Sequence, residues 1–395
     1  MSSTTDSAPE LKRDRRNRAA PRTRLDHFPR DPIARWMLRL GLATPLVVLA
    51  LLLDAVPRPT TSPNAHLMDD VAAIDWTRGD AEWLALLYPH ISTFIAASNP
   101  FGRLGLSIMG AIAAGFLLQK VAEIIAQRAI PRSTGVILIF ALAANPLFVY
   151  FALENFQGFL AITFLGLALA DVVRFVNWGN TESGFRAGIL LMLAALSDPT
   201  GILYALVAVV ASPFLRHGRS STRGLRAANM LVLAFPTLGA FATMMFLNVL
   251  FFGVLWPVND VARVVGGIPD ALGALSDGAG TATGWLLLAP VASAWLVAAI
   301  VRRPAAIPVS TIVAVMLAVS FVLGAFHPAA AGIAFTLLTL LAITLIPAAR
   351  TPLTNVLVDL VAMLQIAIAW AAALNRDVVV VWMQSVADAI ALVVS

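Results

Sequence analysis

The chain has 395 residues, 59% of them hydrophobic and only 12% charged, with a mean hydropathy of +0.84 and a net charge of +5. Soluble domains carry about 25% charged residues, so the composition sets a soluble fold aside in favour of a membrane protein. There is no cysteine, which excludes disulfides, thiolate metal sites and a cysteine nucleophile.

Residues 1–35 are rich in Ser, Pro and Arg, and Lys12-Arg13-Asp14-Arg15-Arg16-Asn17-Arg18 is strongly basic. So little apolar surface predicts a disordered cytoplasmic tail. Its charge reads as a topology anchor or as a contact with anionic lipid. A first span is predicted over Trp36–Val56. A signal peptide is the rival reading, but Asp54-Ala55-Val56-Pro57-Arg58-Pro59 offers no small-x-small cleavage site.

A long polar loop, 57–103, follows. It concentrates acidic residues at Asp69, Asp70, Asp75, Asp80 and Glu82, in a chain otherwise almost continuously apolar. Between Asp80 and Ser98 the pattern suits a helix lying at the membrane interface, with Trp76, Trp83 and Tyr88 as aromatic anchors.

Spans are predicted next at Leu104–Ile125, Thr134–Phe151 and Phe156–Phe175, with Asn145-Pro146 near the outer end of the second of these. The stretch Ala187–Leu215 has basic residues at both flanks, Arg186 before it and Arg216, Arg219, Arg223 and Arg226 after it. Equal positive flanks imply that both ends face the cytoplasm. Two short helices meeting at Asp198-Pro199 satisfy this, because proline disfavours helix at the residue before it and lacks a donor. Asp198 is then expected to cap the second helix, or to act as an ionisable group at the membrane border, as is Glu154.

A span over Ala227–Phe252 leads to a Gly-rich loop, Gly253–Thr283, which carries Asp260, Arg263, Asp270 and Asp277. Further spans are predicted at Gly284–Val301, Ile307–Phe326, Ala329–Ile346 and Leu353–Leu374. Val378–Ser395 is either a last span or an interfacial helix. The expectation is an all-α polytopic membrane protein with about 10–12 transmembrane helices, multi-pass in the plasma (inner) membrane, N-terminus inside. No Walker loop, HExxH or GxSxG motif is present. The basic charge is assigned to topology, not to nucleic acid.

The segment Gly188 to Gly201, with Ala194-Ala195-Leu196-Ser197-Asp198-Pro199-Thr200-Gly201 at its end, resembles a turn found in the GT-C superfamily of polytopic glycosyltransferases. Asn248 to Gly253 resembles an Asn…Phe-Gly ending on a following span of that family. Asp69-Asp70 matches the acidic motif those proteins keep in a long first extracytoplasmic loop, and Tyr88-Pro89 resembles a Tyr-Pro later in the same loop. The resemblance covers about residues 36–253, leaving 254–395 as C-terminal helices without a distinctive match. Asp198 stands where the family usually has Arg, and the large soluble C-terminal domain of many members has no counterpart.

The resemblance implies a polyprenyl-phosphate-sugar donor and a cell-envelope glycan, lipid or protein as acceptor. An inverting transfer needs a base for the acceptor hydroxyl, a role for Asp69 or Asp70. Those two carboxylates could also hold a divalent cation, though an N-cap or a solvated loop accounts for them equally. Arg78 and Arg263 are candidates to meet the lipid phosphate, and Tyr88, His90 and Asp198 complete the expected substrate site. Two other readings stay open: a secondary transporter or flippase of a lipid-linked substrate, with its site at the broken helix, and a non-catalytic GT-C-like subunit of an envelope complex.

Overall fold

The computed structural model of the chain describes residues 27–56, 62–77, 87–127, 132–215, 223–253, 255, 258–301, 306–322, 351–374 and 377–394. Arg78, Asp80, Glu82, Trp83 and the predicted span Ala329–Ile346 lie outside the described residues. Among those described, the chain is all-helical, without a strand.

Four helices are long and apolar enough to cross a membrane: α1 (Pro32–Asp54), α4 (Gly102–Gln127), α7 (Phe156–Trp178) and α10 (Arg223–Phe252). Between them stand α2 (Pro63–Ala72), α3 (His90–Ala97), α5 (Arg132–Ala143), α6 (Pro146–Glu154), α8 (Thr181–Ser197) and α9 (Pro199–Ala211). Helices α11 (Val258–Ala279), α12 (Ala282–Ile300), α13 (Ala306–Val322), α14 (Pro352–Leu374) and α15 (Asp377–Val394) follow.

Local chemistry explains the helix starts. Asp31, Ser62, Asn145, Asn155, Asn180 and Asp198 each accept a backbone N–H at an N-cap, and Pro32, Pro63, Pro146 and Pro199 occupy first turns, where no donor is needed. The break at Asp198-Pro199 is thus where the sequence puts it. The predicted span Thr134–Phe151 is different: it is broken at Asn145-Pro146 into α5 and α6, bent by 52°. Counted as one span, that pair is a fifth membrane-crossing candidate. The predicted loop Gly253–Thr283 is mostly the helix α11. At 100° per residue its Asn259, Arg263, Asp270 and Asp277 fall on one side and Val261, Ile268, Leu272 and Leu275 on the other.

The core is assembled from α1, α4, α6, α7, α8 and α9, around Leu53, Leu117, Phe148, Phe151, Phe159 and Leu191. Lipid is as apolar as these side chains, so close packing rather than water exclusion holds spans together. A Cβ at Gly110 would sit on the Ala152 carbonyl oxygen, and one at Gly201 on that of Ala194. These contacts let α4 meet α6, and α9 fold back on α8, at backbone distance.

Chain direction sorts the polar side chains to two ends of this bundle. At one end lie the start of α1 and α8 and the close of α4 and α7. Here Glu123, only 1% exposed, accepts from Lys120 Nζ (2.9 Å), Gln119 Nε2 (3.3 Å) and Arg174 Nη2 (3.4 Å). Buried Asp171 receives both Nε and Nη2 of Arg186 at 2.6 Å and Arg174 Nη1 at 3.2 Å. We call this the basic end. The opposite end holds the close of α1, α6 and α8, the start of α4, α7 and α9, and the acidic loop.

Candidate functional site

The described part of the acidic loop is docked, not adrift. Ser62 caps α2, and its hydroxyl also accepts Arg103 Nη2 at 2.8 Å. Asn64, 1% exposed, donates Nδ2 to the Leu153 carbonyl and accepts Phe156 N–H at Oδ1, both at 2.8 Å. The end of α6 and the start of α7 leave those two backbone groups without helical partners, and Asn64 satisfies both. Ser107 adds a second donor to Leu153 O at 2.7 Å. Nearby, Glu154, 2% exposed, lies 3.6 Å from Arg103.

The apolar face of α2 packs Leu67 and Val71 against Ala96 of α3, Leu106 of α4 and Phe156 of α7. That leaves His66, Asp69 and Asp70 on the exposed face. They follow at i, i+3 and i+4, so they share one side of the helix. Asp69 does not cap a helix starting at Asp70; Ser62 caps the one that contains both.

The second half of the loop covers the α8–α9 junction. Ser92 Oγ donates to the Ser197 carbonyl at 2.7 Å, and the Tyr88 hydroxyl to the Ala195 carbonyl at 3.3 Å. Tyr88 is therefore a lid over the end of α8, whereas Trp76 is 44% exposed. The Tyr88 ring stands edge-on to His90 at 5.8 Å and to Phe241 of α10 at 6.2 Å. Burial pushes the Tyr88 hydroxyl well above its usual range, and the Asp198 carboxylate adds to the shift. Burial also lowers the His90 pKa, and His90 Nδ1 is buried with no hydrogen-bond partner among the described residues.

Asp198, 9% exposed, turns its Oδ1 to Thr200 N–H at 2.8 Å and to the Thr200 hydroxyl. It is the cap of α9. The Tyr204 hydroxyl, one helical turn beyond Thr200, is likewise buried without a hydrogen-bond partner among the described residues.

Tyr88, His90 and Asp198 are thus brought together, with Ser92, Tyr204 and Phe241, which the sequence did not single out. Asp69 and Asp70 stand on the same end of the bundle but face outward. Arg263 lies on α11, with its side chain outside the description. No group of three or more His, Asp or Glu gathers to hold a metal ion among the described residues. The cation expected at Asp69 and Asp70 has at most these two described ligands, and no step is assigned to it. The members that pin the loop, Asn64, Arg103 and Ser107, could be found only from three dimensions. Glu154 alone among them carried a signal, as an ionisable residue at a membrane border.

Comparison with protein-family models, with curated proteins and with solved structures finds no match to this chain.

Proposed function

We propose that the chain is an integral-membrane glycosyltransferase of the GT-C type, which passes a sugar from a polyprenyl-phosphate donor to a cell-envelope acceptor. In this reading the protein sits in the plasma membrane with 10–12 spans, the basic end and N-terminus in the cytoplasm, and the acidic loop outside. The observation that carries it is the pinning of α2: Asn64 fixes the helix bearing Asp69 and Asp70 to the α6–α7 junction. A base works only if it is positioned, and these carboxylates combine a fixed backbone with an open face.

The chemistry is as follows. Asp69 or Asp70 takes the proton of the acceptor hydroxyl as its oxygen attacks the anomeric carbon. The bond from that carbon to the phosphate oxygen breaks, and polyprenyl phosphate leaves with the electron pair. Arg78 and Arg263 are assigned to the phosphate charge, since guanidinium pairs with phosphate in a bidentate way. Tyr88, His90 and Asp198 line the buried side of the same end and hold the substrate's polar groups.

The test is the envelope glycan profile, or transfer by purified protein, with Asp69→Ala and Asp70→Ala expressed at wild-type level. Loss of a base lowers the rate by about 100- to 10,000-fold. Full retention in both variants overturns the role.

A second reading is supported by the Asn145-Pro146 break, which repeats the cap-and-proline chemistry of Asp198-Pro199. Interrupted helices are where secondary transporters bind their substrate. Solute exchange in proteoliposomes that survives Asp69→Ala and Asp70→Ala but fails in Asp198→Ala would favour this reading over transfer.

A further inference from the structure

We propose that the basic end carries a binding site for the phosphate headgroup of an anionic phospholipid, formed by Arg35 and Arg39 of α1 together with Trp36. The proposal is independent of the transfer reaction.

Residues four apart share a helix face, so Arg35 and Arg39 stand one above the other. Among the described residues no carboxylate pairs with either. The carboxylates nearest in the fold are already committed: Glu123 to Lys120 and Arg174, Asp171 to Arg174 and Arg186, and Asp31 to the N–H of Ala34. Arg35 Nε is buried without a hydrogen-bond partner, while Arg35 Nη2 reaches only the Arg30 carbonyl at 3.4 Å. Arg39 gives its Nε and Nη2 to Gln119, but Arg35 Nη1 and Arg39 Nη1 have no partner among the described residues, and a phosphate accepts from both.

The surroundings identify the source of that phosphate. Ile33, Trp36, Met37 and Leu40 are all more than half exposed, so this stretch of α1 presents its apolar side chains outward, to lipid. Arg39 Cζ lies 5.0 Å from the Trp36 ring centroid and 4.4 Å from that of Phe116, and the two rings meet edge-on at 5.4 Å. The two rings flank the guanidinium at an aromatic and basic girdle, the level of lipid headgroups. A freely diffusing anion would gain nothing from the apolar residues beside it.

The site also reaches the interior. Gln119, buried, accepts from Arg39 Nε and Nη2 at 3.2 and 3.1 Å, and donates to the Phe28 carbonyl at 2.6 Å and to Glu123 at 3.3 Å. A headgroup that fixes Arg39 therefore fixes the segment before α1, whose His27 Nδ1 lies 3.7 Å from Glu123.

The experiment uses the full chain in nanodiscs of phosphatidylcholine alone or with phosphatidylglycerol, reading retained lipid by native mass spectrometry and the thermal midpoint. Wild type should retain phosphatidylglycerol preferentially and melt higher with it. Each basic residue near a membrane surface contributes about 1 kcal/mol, so Arg35→Gln should weaken retention about 5-fold and Arg35→Gln with Arg39→Gln about 25-fold. Arg35→Gln leaves the Arg39–Gln119 contact intact and guards against misfolding of the double variant. Arg226→Gln, an exposed charge at the start of α10 and outside the site, should weaken retention less than Arg35→Gln. Equal retention of the two lipids, unchanged retention in Arg35→Gln, or an equal loss in Arg226→Gln overturns the site. Stabilisation by inorganic phosphate as large as that by phosphatidylglycerol overturns the lipid as its source.

Discussion

At the basic end, Glu123 and Asp171 are shared among Lys120, Arg174 and Arg186; at the acidic-loop end, most of the buried groups that find partners are backbone carbonyls and amides. The basic end must neutralise charges that the sequence places near the ends of its helices. The other end breaks its helices at 154–156 and 197–199 and must answer the backbone groups these breaks release. Charge answers charge in one place; in the other, beside the Arg103–Glu154 pair, side chains mainly answer the backbone. The difference matters for function, since the second arrangement leaves Asp69 and Asp70 uncommitted while the first consumes its carboxylates.

Removing a charge should therefore do most harm at the basic end. Glu123→Ala leaves Lys120 buried and unpaired, which costs about 3–5 kcal/mol; a drop of the thermal midpoint larger than that of any substitution at the other end checks it. At the acidic-loop end the largest effect belongs to a neutral residue. Asn64→Ala strands Phe156 N–H at about 1–3 kcal/mol, reduced by whatever water enters, while Leu153 O keeps the Ser107 hydroxyl as its donor. Hydrogen exchange should rise in α2 and at the α6–α7 junction while Lys120 and Glu123 stay protected. Asp198→Ala removes a cap and should cost about 1 kcal/mol, read as a smaller midpoint shift with exchange confined to the start of α9.

The smallest effect is set by pH. Burial lowers the His90 pKa below the ordinary histidine value of about 6.5, so the docked loop binds fewer protons than the undocked one. Stability contributed by neutral His90 is present above that value and is lost as pH falls below it. Protection of α3 should weaken as pH falls below about 6.5 and be insensitive to pH in His90→Gln. A pH response that persists in His90→Gln would move the sensor elsewhere.

What the sequence disclosed was local. Asp198-Pro199 announces a cap and a first turn within two residues, and the hairpin of α8 and α9 follows from it. Asn145-Pro146 carries the same signal, yet an unbroken apolar run hides it, so the α5–α6 bend came only with the structure. Helix α11 was hidden by its glycines, although Asn259, Arg263, Asp270 and Asp277 recur at helical spacing. Ser62-Pro63 carries the same cap-and-proline signal for the start of α2. The pinning contacts were not legible at all: Asn64 meets Leu153 across 89 positions and Ser92 meets Ser197 across 105. No periodicity encodes such pairs. For the same reason Arg186 reads as a topology mark and not as a ligand of a buried carboxylate.

The hairpin of α8 and α9 has one more consequence. With 17 and 13 residues these helices are about 26 and 20 Å long, against about 39 Å for the 26 residues of α4. A hydrocarbon core about 30 Å thick does not match so short a wall. In the membrane setting proposed above, the bilayer beside it would thin, at a modest cost per ångström. Tyr88 and α3 sit over the junction, so the thinning draws the headgroups of that leaflet down toward His90. A lipid-borne substrate would meet the protein sideways, at the point on its perimeter where a phosphate has the least hydrocarbon to cross.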